Sequence, residues 1–243
     1  DKQLKIEESI AEIKAIWEAR DFLFKEWKGR GVQILTATGA IIEELDDSQM
    51  QLQTFLTMRH VAPFREEATE LLANLNDAAD TLEQWVKVQL MWCSLESVFT
   101  GGDIAKQLPQ ESKRFIQVDR LWRKVMSATE AKPNVLMATA TEGMLESWKN
   151  ANHLLELIQQ GLNDYLEAKR LSFARLFFLS NDELLQILSE TKDPLRVQPH
   201  LGKCFEGISK LDFDDKLIIH GMISVEGEKV PFSETLDPGA ANG

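Results

Sequence analysis

The run LLANLNDAADTLEQWVKVQLMWCSLESVF, residues 71–99, decides the fold class of this chain. Leu71, Leu75, Ala78, Leu82, Trp85, Gln89, Trp92, Glu96 and Phe99 recur at alternating steps of four and three residues. That period is the seam of an α-helix packed along its length, and only Gln89 and Glu96 interrupt its apolar character. Extended back to Phe64, the pattern predicts one helix of roughly 54 Å at 1.5 Å per residue. Gly101-Gly102 ends it. A second seam, Met144, Trp148, Ala151, Leu155, Ile158, Leu162, Tyr165 and Lys169, predicts another long helix of roughly 46 Å that ends near Leu171. Gly161 within it either costs on the order of 1 kcal/mol against Ala or allows a close approach.

Working outward, Ile6, Ile10, Ile13 and Trp17, with Phe24 two turns on and Trp27 beside them, predict a first helix over residues 4–28, stopped by Gly29-Arg30-Gly31. Residues 32–35 read as a short extended piece before a second helix over 39–57. Pro109 suits the first turn of a helix reaching about Ser127. A short helix follows Pro133, and Ser180-Asn181-Asp182-Glu183 forms a capping box ahead of Leu184 and Leu188. Asp193-Pro194 and Gln198-Pro199 open two more short helices, the second carrying Leu201, Cys204, Phe205, Ile208 and Leu211 inward. At Leu217 the helical period gives way to a strand, and the chain returns through Val230-Pro231-Phe232. Gly227-Glu228 suits a two-residue type II′ turn, which would pair Glu226 with Lys229, Val225 with Val230 and Ile223 with Phe232. The expected architecture is mainly α: an elongated multi-helix bundle over residues 1–216, then a small C-terminal β-hairpin and a connection over 217–243.

The 243 residues are 44% hydrophobic and 27% charged, enough to bury a core, and no apolar run approaches a bilayer span. The opening at Asp1 is charged and periodic, with no signal-peptide core, and reads as a start in mid-domain. A net charge of -12 argues against nucleic acid and against an anionic membrane surface as partners. Cys93 and Cys204 lack CxxC spacing and read as packed intracellular thiols rather than as the alternative, a poorly motivated disulfide. Gly202-Lys203-Cys204 is the nearest approach to a phosphate-binding loop, but Val197 stands where its first Gly belongs and no hydroxyl follows the Lys. His60, His153, His200 and His220 share no metal-ligand spacing, and the pairs Asp46-Asp47, Glu66-Glu67 and Asp214-Asp215 suit solvated helix ends better than acid–base catalysis. No catalytic, cofactor or metal set is therefore expected. Five of the six Trp lie on or beside apolar stripes and read as core. The segment Phe173-Ala174-Arg175-Leu176-Phe177-Phe178-Leu179 holds more aromatics than one helix face can bury, and supports equally packing between subdomains and docking to a partner.

Several segments together resemble the linker domain of dynein heavy chains. Trp85, Gln89, Trp92, Leu95-Glu96 and Phe99 follow its W-x-x-x-Q-x-x-W-x-x-L-E-x-x-F pattern, and Asp103-Ile104, Leu108-Pro109, Glu111, Phe115, Val118-Asp119 and Trp122 continue it in order. Tyr165-Leu166-Glu167-Ala168-Lys169-Arg170, Phe173 and the residues from Arg175 to Phe178 are similar to its Y-L-E-x-K-R-x-x-F-x-R-F-F-F stretch, with Leu176 in place of an aromatic. The residues from Leu179 to Leu188, and Val197-Gln198-Pro199-His200-Leu201, look like the axonemal branch, with Gly202 where a basic or polar residue is common. Gly221-Met222-Ile223-Ser224 and Glu226-Gly227-Glu228 close the series.

The resemblance implies a curved helical rod arching over the AAA+ ring of the same heavy chain, bending and straightening to give the power stroke of a microtubule motor. It places ATP and Mg in that ring, microtubule contact elsewhere in the parent, and the whole in the cytoplasm and the axoneme of cilia or flagella. Phe173, Phe177, Phe178, Gly227 and Phe232 are then the candidate interdomain or ring contacts. The contrasting reading is a static spectrin-like or tethering scaffold, which accounts for the long helices but not for the hairpin.

Overall fold

A computed structural model describes residues 2–189 and 191–240; Asp1 and residues 241–243, the end of the expected connection, lie outside it. The chain is mainly helical and forms two compact units, Asp1–Ser94 with Arg114–Glu156, and Leu95–Lys113 with Leu157–Gly243.

The first unit begins with α1 (Lys2–Ala19), which buries Ile6, Ile10, Ile13 and Trp17 as its spacing requires. The helix stops nine residues earlier than the seam suggested. Asn134 donates from Nδ2 to the carbonyls of Trp17, Glu18 and Arg20 at 3.1–3.3 Å, and the Val135 amide donates to Arg20 O at 2.9 Å. Those bonds satisfy the last helical carbonyls and turn the chain away. The chain then forms a hairpin, β1 (Leu23–Glu26) with β2 (Gln33–Thr36), so Phe24 and Trp27 do not extend the α1 stripe. Next come α2 (Thr38–Thr57), a 3₁₀ turn over Arg59–Phe64, and α3 (Arg65–Phe99), 35 residues or roughly 52 Å long.

Gln89 shows why a polar residue sits in the α3 seam. Its side chain accepts from Leu35 N at 2.8 Å and donates to Leu35 O at 2.9 Å. In an antiparallel ladder alternate residues point their peptide groups outward, so Gln89 closes the free edge of β2 as a third strand would. The helices α4 (Asp103–Gln107), α5 (Pro109–Ala131), α6 (Val135–Thr139) and α7 (Met144–Ser172) come after it, and α3, α5 and α7 give residues to both units. Within the first unit they build an aromatic series running Phe22, Trp85, Trp148, Trp122, Trp92, Trp27, with successive ring centroids 5.2–6.2 Å apart. Trp92 Nε1 donates to Asp119 Oδ1 at 2.9 Å, and Trp17 Nε1 to Ser48 Oγ at 2.9 Å.

In the second unit Gly161 of α7 has a steric reason: a Cβ there would collide with the Glu111 carboxyl group. The helix α8 (Asn181–Ser189) is capped by Ser180 Oγ, which accepts from Glu183 N at 3.2 Å. The Glu183 carboxyl also takes Lys203 Nζ on Oε1, alongside a backbone hydrogen bond from Ser180. A 3₁₀ turn over Pro194–His200 leads into α9 (Leu201–Cys204), which is far shorter than the stripe to Leu211 implied. Ile208 and Leu211 lie instead on β3 (Ile208–Phe213), which pairs antiparallel with β4 (Ile219–Ser224), itself paired with β5 (Lys229–Leu236). The C-terminal hairpin is thus two strands of a three-stranded sheet. Gln198 holds Leu211 N at 2.8 Å and Leu211 O at 3.0 Å, closing the β3 edge in the way Gln89 closes β2.

The register also departs from expectation. Ile223 faces Lys229, Met222 faces Val230 and Gly221 faces Pro231. Gly227 N donates to Ser224 O at 3.0 Å and Ser224 N to Glu228 O at 2.9 Å, so three residues, Val225, Glu226 and Gly227, form the loop. Gly227 closes it with φ +88°, the left-handed residue of a three-residue hairpin, rather than opening a two-residue turn. Asp214, Leu217 and Ile218 repeat the scheme between β3 and β4, with Leu217 at φ +62°.

Candidate functional site

The aromatic segment after α7 carries the most functional information. Phe173 leaves the helix with extended backbone, and Ala174–Phe178 forms a 3₁₀ turn whose end is pinned by the buried side chain of Leu179. Two arginines clamp it: Arg170 donates to Leu179 O at 3.0 Å and Arg175 to Cys204 O at 2.9 Å. Arg175 also lies over the Phe205 ring, 4.6 Å from its centroid, and Phe173 approaches the same ring at 6.4 Å. The backbone is therefore fixed from both sides, while Phe173, Phe177 and Phe178 are 46%, 51% and 68% exposed and Leu171 is 71% exposed. These rings form an exposed apolar patch on an ordered backbone.

The other candidates occupy the sheet. Gly227 sits at the tip of the β4–β5 loop, and Phe232 is half-buried on β5. In the sequence Arg170 and Arg175 stand as motif members without a role. Their spacing about Phe173, one cation three residues before it and one two residues after, is the signal that a clamp was present.

Charge in this unit is organised by hydrogen bonds. Lys203 beside Glu183 holds that carboxyl below its ordinary range. Asp214 is lowered by the His220 ring at 2.7 Å and by backbone amides, Ile218 N among them at 3.0 Å. Asp103 is lowered by Thr191, whose hydroxyl and amide donate to it at 2.7 and 3.0 Å. Burial pushes the Cys204 thiol and the Tyr165 phenol up. Among the described residues no group of three or more His, Cys, Asp or Glu is gathered as a metal would need, and no helix is long and apolar enough to cross a membrane. Lys203, the nearest thing to a phosphate-loop lysine, is spent on Glu183.

The family model described as "Dynein heavy chain, N-terminal region 2" matches residues 1–242. The chain belongs to that dynein heavy chain family. It is 46% identical over 242 residues to dynein axonemal heavy chain 3 of Mus musculus and 45% identical over 242 residues to dynein axonemal heavy chain 12 of Homo sapiens. It is 38% identical over 237 residues to dynein axonemal heavy chain 1 of Mus musculus. The matches cover 100%, 100% and 98% of this chain but 6%, 8% and 6% of those relatives, so the chain spans a small part of their length. The resemblance to axonemal dynein heavy chains is borne out.

Proposed function

We propose that this segment is the mechanical linker of an axonemal dynein, a lever that bends and straightens over the AAA+ ring of its own heavy chain. The ring binds Mg-ATP and does the chemistry; the segment carries the stroke and has no catalysis of its own. Its direct partner is that ring, microtubules are engaged only through the parent motor, and its place of work is the axoneme of a cilium or flagellum.

The observation that carries this reading is the clamped aromatic segment on a dynein heavy chain framework. A lever must grip another body, and Phe173, Phe177 and Phe178 present unburied rings on a backbone fixed by Arg170 and Arg175. Long seamed helices such as α3 and α7 supply stiffness, because bending them strains many hydrogen bonds and packed side chains together. The test is a complete heavy chain carrying one fluorophore on α2 and another on the ring. The distance between them is expected to change between the ATP-bound and nucleotide-free states. An unchanged distance in a motor that still moves microtubules overturns the lever reading.

A further inference from the structure

The segment Lys169-Arg170-Leu171-Ser172-Phe173 has two cations three and two residues before a serine and an aromatic directly after it. Kinases that select substrates by charge pattern read such an arrangement on the N-terminal side of the accepting hydroxyl. Ser172 is exposed and is the last residue of α7, where helix ends fray and can adopt the extended form a kinase requires. Its hydroxyl donates to Lys169 O at 2.7 Å, a local bond that opens with the last turn.

The surroundings of the hydroxyl point the same way. Ser172 lines a cleft of about 810 Å³ with Lys106, Lys169, Lys192, Asp103 and Tyr165. Asp103, the one described carboxylate lining this cleft, is taken by Thr191 and stands 3.6 Å from Lys106. Lys169 lies over the Tyr165 ring, and neither Lys169 nor Lys192 forms an ion pair with a described residue. In a chain of net charge -12, two lysines that form no ion pair with a described residue, beside a kinase-type serine, stand out as a receiver for an anion.

We propose that Ser172 is a phosphorylation site for a basic-directed serine kinase and that Lys169 and Lys192 receive the phosphate. The kinase transfers the γ-phosphoryl group of ATP to Ser172 Oγ. The Oγ–P bond forms, the bond to ADP breaks, and the hydroxyl proton passes to the kinase's catalytic base. The product carries a charge near -2 and no longer donates to Lys169 O. A dianion is disfavoured against the carbonyl end of α7 and attracted to the two lysines, so it re-seats the turn that leads into Phe173. The modification thereby acts at the root of the exposed aromatic patch, and it stands whether or not that patch contacts a ring.

The test uses the 243-residue chain, Mg-ATP and the catalytic subunit of cyclic-AMP-dependent protein kinase, with peptide mass spectrometry as the readout. Phosphate is expected at Ser172, none at that position in S172A, and at least a tenfold slower rate in K169Q, which keeps the Arg170 clamp. The phosphoserine, followed by ³¹P NMR, is expected to titrate below its ordinary value of about 6, moving back towards it in K192Q. Phosphorylation of a free 165–178 peptide but not of the folded chain overturns the site. A phosphate that titrates at the ordinary value with and without Lys192 overturns the receiving cleft.

Discussion

At the scale of single residues, exposure and hydrogen bonding separate side chains that sequence treats alike. Phe177 is 51% exposed, so Phe177→Ala is expected to change stability by less than about 1 kcal/mol, against the roughly 3–5 kcal/mol of a buried phenylalanine. Thermal melting of the isolated chain checks this, and an unchanged midpoint with weakened force production in the full motor marks the ring as a contact. Gln89 behaves oppositely. Gln89→Leu improves the apolar seam on paper, yet it strips both partners from the peptide groups of Leu35, a residue only 3% exposed. Leaving buried backbone groups unpaired outweighs the gain in hydrophobicity, and a loss of about 1–3 kcal/mol in urea denaturation is expected.

At the scale of elements, the hairpins test what a turn demands of its residues. Gly221 faces Pro231 across the β4–β5 pair, where a Cβ would collide with the Val230 carbonyl and come within 3.0 Å of Pro231 Cα. Gly221→Ala is therefore expected to cost about 1–3 kcal/mol through overpacking. Gly227 has open space around it but a left-handed backbone, so Gly227→Val costs about 1–2 kcal/mol through conformation alone and Gly227→Asn costs less. Equilibrium unfolding of the three variants ranks them. The same elements show what was legible in the sequence. The long seams of α3 and α7 were, because period and length reinforce each other over many turns. The end of α1 was not, since it is set by Asn134, more than a hundred residues away. Strand β3 was hidden because Ile208 and Leu211 also fit a helical stripe, and only its pairing with β4 decides between them. The aromatic surface was visible as excess apolar residues, whereas its exposure depends on the clamps from Arg170 and Arg175.

At the scale of the whole chain, the two units divide the tryptophans and the shifted carboxylates between them. All six Trp belong to the unit formed by Asp1–Ser94 and Arg114–Glu156, whereas Asp103, Glu183 and Asp214 belong to the other. Each of these three carboxyls is held below its ordinary value, chiefly by a hydrogen bond from Thr191, Lys203 and His220 respectively. A carboxyl with a depressed native pKa binds its proton more readily in the unfolded chain. Its contribution to stability is present above the unfolded values of about 3.9 for Asp and 4.3 for Glu, and is lost as pH falls through the lower native value. The Trp-containing unit rests chiefly on apolar burial and on the aromatic series from Phe22 to Trp27, with the Trp92–Asp119 and Lys14–Glu67 bonds as its polar additions. Acidification below about pH 4 is therefore expected to loosen the sheet-bearing unit first. Amide exchange followed by mass spectrometry should show β3, β4 and β5 losing protection while tryptophan fluorescence keeps its native maximum. The double variant D103N/E183Q should lack that share of stability at every pH, so its sheet protection is expected to be lower near neutral pH and to change less as pH falls, since amides in those places take up no protons. Fluorescence and sheet protection collapsing together at one pH, unchanged in the double variant, would show that the carboxylate bonds of the second unit do not set its acid stability.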